Sequence, residues 1–103
     1  MATFLYLIHP IRQAMLTEGS TPEEERLVEA HFAYLQTLYQ QDIASLVGRS
    51  LTTGPESIGL MVFSATDQSE AEAIAAHDPA VQGSVFRVEV LPFRVLFPPP
   101  PEN

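Results

Sequence analysis

The stretch TPEEERLVEAHFAYLQTLY, residues 21–39, decides how the rest of the chain is read. Thr21 supplies an N-cap hydroxyl, Pro22 suits the first helical position, and Glu24 stands where a capping-box carboxylate reaches back to the N-cap amide. Glu25 adds negative charge where the helix dipole favours it. Beyond this start, Leu27, Val28, His31, Phe32, Leu35, Leu38 and Tyr39 repeat at helical spacing, leaving Arg26, Glu29, Ala33, Gln36 and Gln40 for solvent. The pattern predicts a long amphipathic helix with His31 on its core-facing stripe.

On the N-terminal side, Thr3 to Ile8 is apolar nearly throughout and predicts a central strand covered on both faces, which His9-Pro10 ends. Ile11 to Ser20 has no clear period and is expected to be a connection lying over something, a lid candidate. On the C-terminal side, Ile43 to Val47 predicts a second strand ending at Gly48-Arg49, and Ser57 to Ser64 a third. Thr52-Thr53-Gly54-Pro55 is the turn region between them, so the two are expected to pair as a hairpin. Asp67 as N-cap, Glu70 three residues on, and the stripe Ala71, Ile74, Ala75 predict a short helix that Pro79 stops at Asp78. Val85 to Val95 reads as a last strand, with Phe86, Val88 and Val90 alternating against Arg87 and Glu89. Pro92 within it demands an edge position or a bulge. Pro98 to Pro101 with Glu102-Asn103 are expected to form an extended or disordered tail, giving one domain over residues 1–97 and a tail over 98–103.

The order β-α-β-β-α-β predicts an α+β, ferredoxin-like fold in which both helices cover one face of a four-stranded antiparallel sheet. The strands carry apolar residues in both directions, so the second face needs cover. The simplest cover is the same face of another copy, and a homodimer is expected.

Composition narrows the function. At 103 residues and 46% hydrophobic the chain makes one domain with a modest core. It has no Cys, which removes disulfides, thiolate metal ligation and a cysteine nucleophile, and fits a cytoplasmic protein. The apolar run Phe4 to Ile8 is far shorter than a membrane span, and no basic segment precedes it as a signal peptide requires. Five Arg and no Lys against thirteen acidic residues give a net charge of −8, which repels phosphate backbones and anionic lipid alike. Neither nucleic acid nor membrane is an expected partner. No Gly-x-Ser-x-Gly elbow and no glycine-rich phosphate loop is present.

Successive elements reverse direction along the sheet axis, which collects polar residues at one end: His9, the start of the first helix, Gly48, Arg49, His77, Asp78 and Arg87. An imidazole and a carboxylate meeting there, His31 and Asp78, are the parts of a general acid/base site. His9, Arg12, Gly48 and Arg49 are the candidates to line a small-molecule pocket beside them, Arg12 and Arg49 as anchors for an anion. The competing reading makes His31 a core histidine, Asp78 a carboxylate serving local backbone amides, and each Arg a surface charge. His9, His77 and Asp78 offer no metal-ligand spacing, since adjacent His77 and Asp78 side chains diverge and no third ligand is placed. Tyr6, Tyr34, Phe32 and Phe63 read as packing, with Tyr34 off the main stripe at a partner or pocket edge.

The Phe-Leu-Tyr-Leu-Ile strand (residues 4–8), the helix with His31-Phe32-Ala33-Tyr34-Leu35, Gly48 after the second strand, Asp78-Pro79 and a last strand reaching Pro92-Phe93 together resemble the YCII-related domain family. The resemblance covers nearly the whole chain. It implies a dimeric α/β barrel of ferredoxin-like protomers with a His/Asp site at His31 and Asp78. One branch of the family is associated with dehydrochlorination of chlorinated hydroxyquinols, and the wider superfamily includes muconolactone isomerases and small monooxygenases. The segment Pro10 to Ser20 is longer here than in shorter members. The function expected from residues and resemblance together is a small enzyme of lyase or isomerase type, needing no metal or organic cofactor, that acts on a hydroxylated or halogenated ring compound. The alternative is a non-catalytic small-molecule-binding or accessory module.

Overall fold

Strand β1 (Ala2–Pro10) alternates buried Phe4, Tyr6 and Ile8 with half-buried Thr3, Leu5 and Leu7, so it divides its side chains between two faces of a sheet. The computed structural model describes residues 1–98 of the chain. Its further elements are α1 (Ala14–Thr17), α2 (Pro22–Gln40), β2 (Ala44–Arg49), β3 (Gly59–Ala65), α3 (Gln68–Ala76), α4 (Pro79–Gln82) and β4 (Phe86–Pro92). The strands form one sheet in the order β2-β3-β1-β4, every neighbouring pair antiparallel. This is the split βαβ arrangement, with β1 central and β2 and β4 at the edges. The edge place of β4 accommodates Pro92, which has no N–H to give a further strand.

Phe4, Tyr6, Ile8, Met61 and Phe63 of the sheet pack against Leu35 and Leu38 of α2 and Ala71 and Ala75 of α3. Both long helices therefore lie on one face. A second cluster of Met15, Leu27, Ala80 and Val85 ties α1 and α4 to the side of α2. In β2 the register against β3 shifts between Ala44 and Leu46, a bulge that gives this strand one residue more than its partner.

Several boundaries differ from the sequence reading. The helix start is as expected: Thr21 accepts from the Glu24 amide, and the Glu24 side chain accepts from the Thr21 amide. Phe32 and Tyr39, expected on the core stripe, are each 54% exposed, because they lie beside Leu46 and Val47 of the edge strand β2, beyond which the described residues supply no further strand. The segment 11–20 is not featureless. It carries α1, whose Met15 is buried, and Arg12 donates to the Gly19 carbonyl and to Glu24, folding the segment onto the start of α2. The third strand begins at Gly59 rather than Ser57, since Ser57 closes a turn onto the Gly54 carbonyl. The last strand runs from Phe86 to Pro92, and not to Val95. Pro79 does stop α3, but Asp78 also opens a further short helix, α4, with Pro79 in its first position. Of the expected tail over 98–103, all but Pro98 lies outside the described residues.

Candidate active site

Asp78 is completely buried, and it has three donors. Its extended backbone makes it the N-cap of α4, where Oδ1 accepts the Ala80 amide at 2.9 Å. Oδ2 accepts the Tyr6 hydroxyl at 2.8 Å and lies 2.6 Å from His31 Nδ1. Each partner arrives through a different local pattern. Tyr6 is an inward position of the central strand, His31 the middle of the α2 stripe, and Asp78 the corner between α3 and α4.

This network assigns the histidine tautomer. The Tyr6 phenol is held far above its usual range, first by burial and then by the negative charge of Asp78, so it remains a donor. Oδ2 thus serves as acceptor for two groups, and Nδ1 of His31 carries the hydrogen that completes the contact. In neutral His31 the remaining nitrogen, Nε2, presents a lone pair. No buried side-chain nitrogen or oxygen among the described residues lacks a partner, and Nε2 has no partner among them, so it meets the cavity that His31 lines. The ring is fixed sideways by an edge contact with Phe86 at 4.9 Å between centroids.

The cavity has a volume of about 560 Å³. Ile8, Met15, Val28, Leu35 and Phe86 make much of its wall, and Gly48, Arg49, Ser50, Thr52 and Ser57 bring a polar side. The three hydroxyls are joined, Thr52 Oγ1 lying 2.9 Å from Ser50 Oγ and 3.0 Å from Ser57 Oγ. Leu16 and Ser20, from the segment read as a lid, also line it. The Gln13 side chain bridges from that segment to the carbonyls of Thr53 and Gly54 at 2.7 and 2.9 Å, joining two loops that both supply wall residues. An imidazole held by a buried carboxylate, with its free nitrogen facing a mostly apolar chamber, can take up or return one proton.

Of the residues singled out in the sequence, the structure brings His31 and Asp78 into contact and places Gly48 and Arg49 on the same cavity. A Cβ at Gly48 would meet nothing within 4 Å, so packing does not require glycine there. His9 and Arg12 are not brought to the cavity. His9 belongs to the other face of the sheet, where its Nε2 lies 3.0 Å from Glu89. Arg12 is engaged by Glu24, Nε to Oε2 at 2.9 Å. His77 bonds its own helix, Nδ1 to the Ala73 carbonyl, and no three His, Asp or Glu side chains among the described residues converge as a metal ion would need. Tyr6, read only as packing, is a direct partner of Asp78. The available signal was its inward parity in β1, since a phenol facing a core must find an acceptor for its O–H. Tyr34 reaches the Ile74 carbonyl at 2.8 Å and so ties α2 to α3.

A family model, the YCII-related domain, matches residues 3–94. Among solved structures, the chain is similar to 5-chloro-2-hydroxyhydroquinone dehydrochlorinase from Burkholderia phenoliruptrix in complex with 2,5-dihydroxybenzoquinone, with a TM-score of 0.64 and 17% sequence identity over 88% of this chain and 93% of that one. At this identity the likeness is one of fold. No curated protein matches the chain in sequence. The family match takes in all the strands and helices described above but for Ala2 at the start of β1, and on it the chain belongs to the YCII-related domain family.

Proposed function

We propose that the chain is a small acid–base enzyme in which His31 moves a proton to or from a small ring compound held in the cavity, and Asp78 orients the imidazole. The observation that carries the reading is the 2.6 Å contact between His31 Nδ1 and a carboxylate that is itself fully buried. A carboxylate there fixes the ring's tautomer and orientation, so that Nε2 is held toward the guest. The proton chemistry is supplied by the chain's own side chains, which suits elimination or isomerisation at an acidic carbon or hydroxyl. The structurally similar dehydrochlorinase, whose name specifies a chlorinated hydroxylated ring, supports that substrate class.

The test is a panel of hydroxylated and halogenated ring compounds offered to the wild-type protein and to His31→Gln. Loss of turnover by about 10²–10⁴-fold with folding retained is the expected result. Equal turnover by both removes His31 from the mechanism, and tight binding without conversion in either leaves a binding module.

The assembly belongs to the same proposal. Leu5, Leu7, Leu60, Val62 and Leu91 lie on the sheet face away from the helices, as their pairings Leu5 with Val62 and Leu91, and Leu7 with Leu60, require. Burying such a face against itself in a second copy gives an isologous dimer.

A further inference from the structure

The cavity sorts charge far more sharply than the chain as a whole. Thirteen acidic residues stand against five arginines in the sequence, yet among the described residues the ionisable side chains on the cavity wall are His31 and Arg49 alone. Asp78 stands behind the His31 ring, fully buried, with its oxygens already committed to three donors. Among the described residues the side-chain carboxylates within reach of a basic nitrogen are Glu24 with Arg12 and Glu23 with Arg26, besides Glu89 beside the His9 ring and Asp78 beside the His31 ring. Arg49 belongs to none of these pairings, and its guanidinium makes no hydrogen bond among the described residues. In so acidic a molecule, such a cation on a wall to which no described residue brings a carboxylate is a ready partner for an anion.

The rest of the wall describes the remainder of the guest. Ile8, Val28, Leu35 and Phe86 offer an apolar surface for a ring, and the linked hydroxyls of Ser50, Thr52 and Ser57 offer hydrogen bonds next to Arg49 along the chain. We infer that Arg49 makes the cavity selective for a small ring compound bearing an oxyanion, a carboxylate or phenolate, which the guanidinium anchors while the ring lies on the apolar wall. The inference rests on the site proposed at His31 for the step that follows binding, but the selectivity itself is a property of binding alone. Its chemical logic matches the proton step: an anchored oxyanion fixes which ring position stands at Nε2.

The probes are benzoate and benzamide, which share shape and differ in charge. In an NMR titration of the isotopically labelled full chain, benzoate is expected to bind about tenfold or more tightly than benzamide, with the largest shifts at residues 49–59. Arg49→Gln is expected to bring benzoate down to the affinity of benzamide, and Arg49→Lys to retain part of the preference, since a point charge keeps attraction but loses the planar fork. Arg49 is on an edge strand with its side chain exposed, so these variants keep the fold. Equal affinity for the two probes, no binding of either at millimolar concentration, or an undiminished preference in Arg49→Gln overturns the inference. If benzoate and benzamide bind equally while turnover still depends on His31, the anion assignment fails and the acid–base proposal stands. A clear benzoate preference in a protein that turns over nothing on the panel supports this assignment and sinks the other.

Discussion

Asp78 holds three polar groups of separate elements at once, and this sets what its replacement should cost. Asparagine has one acceptor oxygen and an NH₂ group, which cannot accept from the Tyr6 hydroxyl, the His31 ring and the Ala80 amide together. Asp78→Asn is therefore expected to lower stability by about 2–4 kcal/mol, read from urea unfolding. Tyr6→Phe leaves two of the donors and the ring packing in place, and is expected to cost about 1–2 kcal/mol. An Asp78→Asn loss no larger than that of Tyr6→Phe would show that the carboxylate is not the centre of the network. His31 and Asp78 were legible because a helical stripe and an Asp-Pro corner each fix a side chain's direction. His9 was not legible as an outsider until its strand parity was set: it falls with Thr3, Leu5 and Leu7 on the face away from the helices. Arg12 was likewise misplaced, because the capping-box glutamate that starts α2 also captures this guanidinium.

At the N-terminus of α2, one carboxylate does two things. Glu24 accepts from the Thr21 amide and binds Arg12, and these partners, Arg12 foremost, hold its pKa down at about 2 from an ordinary 4.5. A carboxyl depressed by folding stabilises the folded state above its ordinary pKa, and that contribution disappears as pH falls through the folded value. Wild type is thus expected to lose stability relative to Glu24→Gln as pH is lowered from 4.5 toward 2, with the difference greatest at neutral pH. Denaturant midpoints for both proteins across that window check it, and parallel curves would deny Glu24 the role. The element reading from sequence was strongest where caps and periodicity agree, at α2 and α3. It was weakest in the 11–20 segment and around α4, whose four-residue helices are too short for a period and form because Met15 and Ala80 are buried against Leu27.

For the molecule as a whole, the sheet is covered by helices on one side only. With Leu5, Leu7 and Leu60 among its residues, the opposite face is expected to bring two copies together, so sedimentation at micromolar concentration should report a dimer and Leu7→Arg a monomer. A wild-type monomer under those conditions would overturn the proposed assembly. The β-α-β-β-α-β order of the strands and the two longer helices was legible, since it needs only the sequence of element types. What the order does not contain is parity within β2, and here the bulge between Ala44 and Leu46 has its effect. Ala44 pairs with Phe63, Val47 with Met61 and Arg49 with Gly59, all toward the helices. In an unbroken strand, positions 44 and 49 would point to opposite sides. Arg49 shares the helix-side face with Ala44 only because one extra residue is threaded into this edge. Shortening the edge by that residue would therefore exchange the chemical character of the two sides without altering any side chain, and relatives differing by a single insertion here would present different guests with different walls.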